Sequence, residues 1–126
     1  MKSISTLLVV LVTTILTSCS GSTTYRGHWK ATNPEGLKLD IFFDEKSFTV
    51  SDSSGQTKEY TYSQNAVNIE NGRETYGILV KQSRTYEIRF PFADESKGFI
   101  TDSNGNVFYT ISRSEYITYD EANKLH

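Results

Sequence analysis

Apolar and polar side chains alternate with a period of two along most of the stretch from Arg26 to Arg113. Leu37, Leu39, Ile41 and Phe43 interleave with Lys38, Asp40, Phe42 and Asp44. Tyr76, Ile78 and Val80 interleave with Thr75, Gly77 and Leu79, and Tyr86, Ile88 and Phe90 with Thr85, Glu87 and Arg89. Val107, Tyr109 and Ile111 do the same with Phe108, Thr110 and Ser112. Such alternation puts one set on an apolar face and the other mostly towards water. The prevalence of Tyr, Phe, Ile, Val and Thr suits a pleated, half-buried surface. Turn signals punctuate the pattern at Asn33-Pro34-Glu35-Gly36, Glu45-Lys46-Ser47, Ser53-Ser54-Gly55, Asn71-Gly72 and Asn104-Gly105. Asn-Gly supplies two residues tolerant of positive φ, as a type I′ hairpin requires.

Strands are therefore expected near 26–33, 37–44, 47–52, 56–63, 66–70, 73–81, 84–91, 97–103 and 106–113. Short strands joined by tight turns predict an antiparallel meander. A meander of this length removes its edges by closing into a barrel or folding into a sandwich. The expectation is an all-β fold of eight or nine strands closed as a small barrel, with a β-sandwich as the alternative. Pro91 lacks an amide proton and belongs at a strand end, bulge or edge. Ala93 to Lys97 reads as an exposed loop. The tail differs. Thr118-Tyr119-Asp120-Glu121 has the form of a capping box, so a short C-terminal helix is expected. A helix that short is marginal alone and must pack through Tyr116, Ile117, Tyr119, Ala122 or Leu125, or else fray.

Ahead of the β pattern lies an apolar run, Leu7 to Leu16, after a start that carries one positive charge, Lys2. The run from Ser3 to Thr17 is 15 residues, short of the ~20 that span a bilayer. It has the form of a secretory signal. It ends in Leu16-Thr17-Ser18-Cys19. This tetrapeptide resembles the lipobox of bacterial lipoproteins. The resemblance implies a diacylglyceryl group on the Cys19 sulfur and cleavage before Cys19. It also implies a lipid anchor in the cell envelope. For a Gram-negative host, the resemblance also implies the outer membrane rather than the inner, since Ser20 and not Asp follows the cysteine. The expected organisation is a signal peptide over 1–18, a lipidated tether over 19–25 and one β-barrel domain over 26–126.

Cys19 is the only cysteine, so no intrachain disulfide, cysteine zinc site or thiol nucleophile can be built. The chain after residue 18 carries 12 Lys and Arg against 15 Asp and Glu, net −3, with no basic block. Nothing there suits nucleic acid or electrostatic docking on a membrane.

Gly27-His28-Trp29 opens the first expected strand. It resembles the Gly-x-Trp signature of lipocalins and the wider calycin group of small β-barrels. The resemblance implies that Trp29 closes one barrel end and packs against an Arg after the last strand, for which Arg113 is the counterpart. Thr101-Asp102-Ser103 is similar to the lipocalin Thr-Asp-Tyr element without its Tyr.

Candidate chemistry is sparse. Asp102-Ser103-Asn104-Gly105-Asn106 matches the first ligands of a calcium loop, but Val107 and Arg113 stand where Gly and an acid are needed. A hairpin is the better reading. His28 is the one histidine inside the folded region, and no Gly-x-Ser-x-Gly elbow accompanies it. Asp44-Glu45 and Asp94-Glu95 fall in turns. No catalytic set, metal site or cofactor site is expected. Tyr60 and Tyr62 share a strand face and read as core, with an aromatic binding platform as the alternative. Phe42 lies on a charged face and is expected to be exposed.

The function expected first is a lipid-anchored envelope module, non-catalytic, presenting its barrel to an envelope protein. The alternative is a lipocalin-like carrier of a small apolar ligand. A barrel filled by Leu39, Ile41, Ile78, Val80, Ile88 and Phe90 holds no ligand, so a cavity is what separates the two.

Overall fold

The structure is a computed structural model that describes residues 22–80 and 84–124. The expected signal segment, Cys19, Leu125 and His126 lie outside the described residues. Eight strands run in order: β1 (Gly27–Thr32), β2 (Lys38–Phe43), β3 (Ser47–Ser51), β4 (Thr57–Glu70), β5 (Arg73–Val80), β6 (Arg84–Phe90), β7 (Lys97–Asp102) and β8 (Val107–Ser112). Each pairs antiparallel with its sequence neighbours, and β8 returns to β1 to close a barrel. A single helical turn and a half, α1 (Tyr119–Lys124), follows. The barrel is realised and the sandwich is not. The seam is the shortest ladder, with three register pairs between β1 and β8 against six between β1 and β2.

Eight strands replace nine because 56–63 and 66–70 are one strand. The β4–β5 register steps between Gln64 and Ala66. A β-bulge absorbs an extra residue without ending the ladder, so the polar run Ser63-Gln64-Asn65 bends β4 instead of breaking it. Gly77 lies across from the bulge, where an added Cβ would sit 2.9 Å from Asn65 Oδ1. A second register step, between Ile100 and Thr101, pairs them with Tyr109 and Val107 and skips Phe108. It overturns the expected alternation of β8. Val107 joins the cluster of Phe92, Phe99, Ile117 and Ala122 outside the wall, while Phe108 turns into the barrel mouth. Leu37, expected on the inner face, is 63% exposed, because it belongs to the preceding turn. The other inward positions hold, with Ile41, Phe43, Tyr76, Ile78, Val80, Ile88, Phe90 and Ile111 in the core.

Asn71 (φ 53°) and Gly72 (φ 76°) form the type I′ hairpin that their sequence predicts. Asn104-Gly105 does not, since only Gly105 takes a positive φ. Its loop shares one design with two others. Asn33, Asp52 and Asp102 each begin a five-residue loop whose fourth residue is glycine. In each, the side-chain oxygen accepts the amide protons of the residues two and four further on. The glycine amide returns to the carbonyl of the first residue, and the strands pair again at the fifth.

The capping box at α1 is formed. Thr118 N donates to Glu121 Oε1 at 2.9 Å, and Glu121 N donates to Thr118 Oγ1 at 3.2 Å. The Glu121 carboxyl is accordingly held below its usual range by the Thr118 amide and hydroxyl. The helix packs through Ala122 and Ile117, and the Tyr119 ring meets Phe99 at 5.2 Å. Tyr116 lies apart, donating to Asp40 and sitting beneath Lys30 and Lys38. Thr118→Ala should cost about 1 kcal/mol and lower the melting midpoint by about 4–8 °C. Calorimetry and amide exchange over 119–124 check this.

Candidate binding cavity

The two ends of the barrel are built differently. At the end where β1 begins, aromatic side chains fill the interior. Tyr25 meets Tyr76 at 5.3 Å, Phe43 at 5.4 Å and Tyr62 at 6.2 Å. Their hydroxyls are all placed. Tyr25 donates to Gln64 Oε1 at 2.8 Å, Tyr62 to the Asp44 carbonyl at 2.6 Å, and Tyr76 to Glu74, while Tyr76 accepts from the Thr24 hydroxyl at 3.0 Å. Burial pushes all three phenols above their usual range, so they stay neutral. Tyr25 falls within the stretch expected as tether. It is nevertheless core, and Ser22, the first described residue, donates its amide to Gln64.

Trp29 completes this closed end. Its indole Nε1 donates to the Tyr25 carbonyl at 2.8 Å. The Arg113 guanidinium carbon lies 3.7 Å from the ring centroid. Arg113 also donates to the His28 carbonyl at 2.9 Å and the Thr24 carbonyl at 3.0 Å. It thereby ties the end of β8 to β1 and the entering chain, beyond the short seam. Gly27 is required here: its φ is +95°, and a Cβ would press on Arg113 Nη1 at 3.2 Å. The Trp29–Arg113 pairing expected from Gly-x-Trp is therefore present.

The opposite end is open. Between Ile41, Val50, Ile78 and Val80 on one side and Ile100 and Phe108 on the other lies a cavity of about 410 Å³. Phe48, stacked on Tyr60 at 5.1 Å, forms part of its wall. Tyr60, Tyr86 and Tyr109 bring hydroxyls to it, and Arg84 brings the one charge among its lining residues. Burial, then the neighbouring Tyr60 and Tyr86, raise the Tyr109 hydroxyl above its ordinary range. It is neutral at any physiological pH. Arg84 follows the β5–β6 connection at the rim.

The residues singled out from sequence divide accordingly. Trp29 and Tyr62 belong to the closed end, and Tyr60 belongs to the cavity. Phe42 is 36% exposed on the outer wall, with His28 packed on it at 4.6 Å. Asp102 directs its carboxylate to its own loop and to the Asn106 side chain, which hold it below the usual range. Asp94 caps Ser96, and Asp44 caps Glu45. Glu95 hydrogen-bonds with Glu74, which raises its carboxyl, but both lie at the closed end away from the cavity. No group of three potential metal ligands occurs among the described residues. Arg84, Phe48 and Phe108 were not legible as cavity residues. Phe108 depends on the β8 bulge, and Arg84 looks like any exposed strand end.

Comparison with protein-family models, with curated proteins and with solved structures finds no match to this chain.

Proposed function

We propose that this chain is a lipid-anchored protein of the bacterial envelope whose barrel binds a small, largely apolar molecule. The cavity at the open end carries the reading. Its volume falls within the ~300–1,000 Å³ common for small-molecule sites, near the lower end. Interiors of proteins are otherwise close-packed, so a void of this size at the mouth of a barrel marks a place for a guest. The wall is aliphatic and aromatic, while tyrosine hydroxyls and the Arg84 guanidinium supply a few polar contacts. That combination suits a compact molecule with an apolar body and a polar or anionic end. The expectation that the barrel acts chiefly on an envelope protein has less to stand on, since Phe42 is partly covered by His28.

Anilinonaphthalene sulfonate, an apolar fluorophore with one negative charge, tests the site. Saturable one-to-one binding is expected at the natively folded protein. Ile78→Trp, which fills the cavity, should abolish it. Arg84→Gln should weaken it roughly tenfold, the loss of one charged hydrogen bond. Near-ultraviolet circular dichroism of each variant separates cavity binding from adsorption to loosened cores. Absence of saturable binding, or equal binding by Ile78→Trp, would overturn the reading.

A further inference from the structure

β4 is the longest strand, 14 residues against 5 to 8 for the others. Its excess length overhangs the closed end. β3 pairs with β4 only as far as Thr61, and among the described residues no strand pairs with the other edge of β4 from Gln64 to Glu70. Val67 and Ile69 stand opposite Tyr76 and Glu74 across the β4–β5 ladder. Cross-strand partners share a face, so the two aliphatics continue the inner face past the barrel. They are 55% and 63% exposed. At the tip Glu70 stands opposite Arg73 in the register, and Glu74 faces Ile69, so the overhang carries two acids against one base and a net charge of only −1.

The chain enters the fold beside this overhang. The Ser22 amide donates to Gln64, the residue just before the β4 bulge, and the Thr24 hydroxyl is hydrogen-bonded to that of Tyr76. Cys19 lies three residues before Ser22, a reach of about 11 Å of chain at most. An acyl anchor at Cys19 therefore holds this end of the barrel against the bilayer. Apolar groups at a membrane interface bury ~5–10 Å into the headgroup and acyl boundary. From this, and resting on the lipid-anchor reading above, we infer that the β4–β5 overhang is a second membrane contact. Val67 and Ile69 insert into the lipid interface beside the acyl anchor. The barrel then stands on its closed end with the cavity mouth facing away from the membrane. The contact is apolar and needs no anionic lipid.

Amide exchange on the full-length product, purified from membranes and reconstituted in phosphatidylcholine vesicles, tests this. Amides of 65–75 should slow by roughly tenfold or more on the vesicle surface, while those of 102–107 at the mouth stay unchanged. Val67→Asp combined with Ile69→Asp should remove the slowing and keep the melting midpoint, since both side chains are exposed. Unchanged exchange over 65–75 on vesicles overturns the inference. So does equal slowing in concentrated protein without vesicles, which would assign the overhang to a second copy. The mass of the N-terminal peptide reads the anchor separately. If Cys19 is unmodified, the anchor reading fails. The overhang is then tested on protein coupled through the Cys19 thiol to a maleimide lipid in the same vesicles, with the same two outcomes.

Discussion

Trp29→Ala is expected to destabilise the barrel by about 3–5 kcal/mol, the usual cost of removing a buried large aromatic. Against a total of ~5–15 kcal/mol for a domain, that leaves a protein close to its unfolding threshold. Three effects add at this position. The indole leaves a void behind Phe90, whose ring it meets at 5.8 Å. The Tyr25 carbonyl loses its indole donor. Arg113 loses the aromatic face beneath its guanidinium, worth about 0.5–2 kcal/mol. The seam between β1 and β8 has only three register pairs to fall back on. Urea unfolding should show the midpoint falling by roughly 2 M, given slopes of ~1–3 kcal/mol per molar. Trp29→Phe, which keeps most of the ring, should cost far less. Equal costs for the two substitutions would mean that the indole N–H matters more than the volume.

The other large effect concerns position rather than stability. Cys19→Ala removes the only thiol in the chain. Under the proposed anchoring, the protein should leave the detergent-soluble membrane fraction almost entirely, because stable attachment takes more than one acyl chain and no other anchor is proposed to hold the barrel alone. The two exposed aliphatics of the overhang are too few to replace it. The barrel itself should melt at the same temperature, since its core is built from Tyr25 onward among the described residues. Fractionation and acyl-chain labelling read the outcome. Retention of the variant in membranes would sink the anchor.

Much of the fold is legible in the sequence because a barrel of hairpins is specified locally. Alternation sets the inner face, and turn signals end β1, β2, β3, β4 and β7. The Gly-x-Trp opening and Arg113 locate the closed end, since an indole and a guanidinium need each other there. What escaped was wherever period two is broken inside a strand. The bulge at Gln64–Ala66 joins two expected strands, and the step opposite Ile100–Thr101 exchanges the faces of Val107 and Phe108. Bulges carry no composition of their own beyond small or polar residues, which turns share. The cavity was hidden for a related reason. Ile41, Ile78 and Val80 have the character of core residues, and whether core residues meet depends on barrel diameter and on the aromatic ring count at each end. Here six large rings, Tyr25, Trp29, Phe43, Tyr62, Tyr76 and Phe90, crowd the closed end and leave the aliphatics at the mouth apart.

Three of the loops at the cavity mouth are the Asx-initiated, glycine-closed five-residue turns begun by Asn33, Asp52 and Asp102. Each is held by its own first side chain and its own glycine, not by the barrel beneath. Of the two residues between, Pro34-Glu35, Ser53-Ser54 and Ser103-Asn104, only Ser54 adds a side-chain bond to its loop, its hydroxyl donating to Asp52 Oδ1 at 2.6 Å. A rim of this kind is an adaptable scaffold. Substitutions at the other five positions can alter charge, size or stickiness around the opening while the strands below stay in register. Diversification of guest or partner among descendants of this chain, and grafting by an engineer, would both find their freedom there.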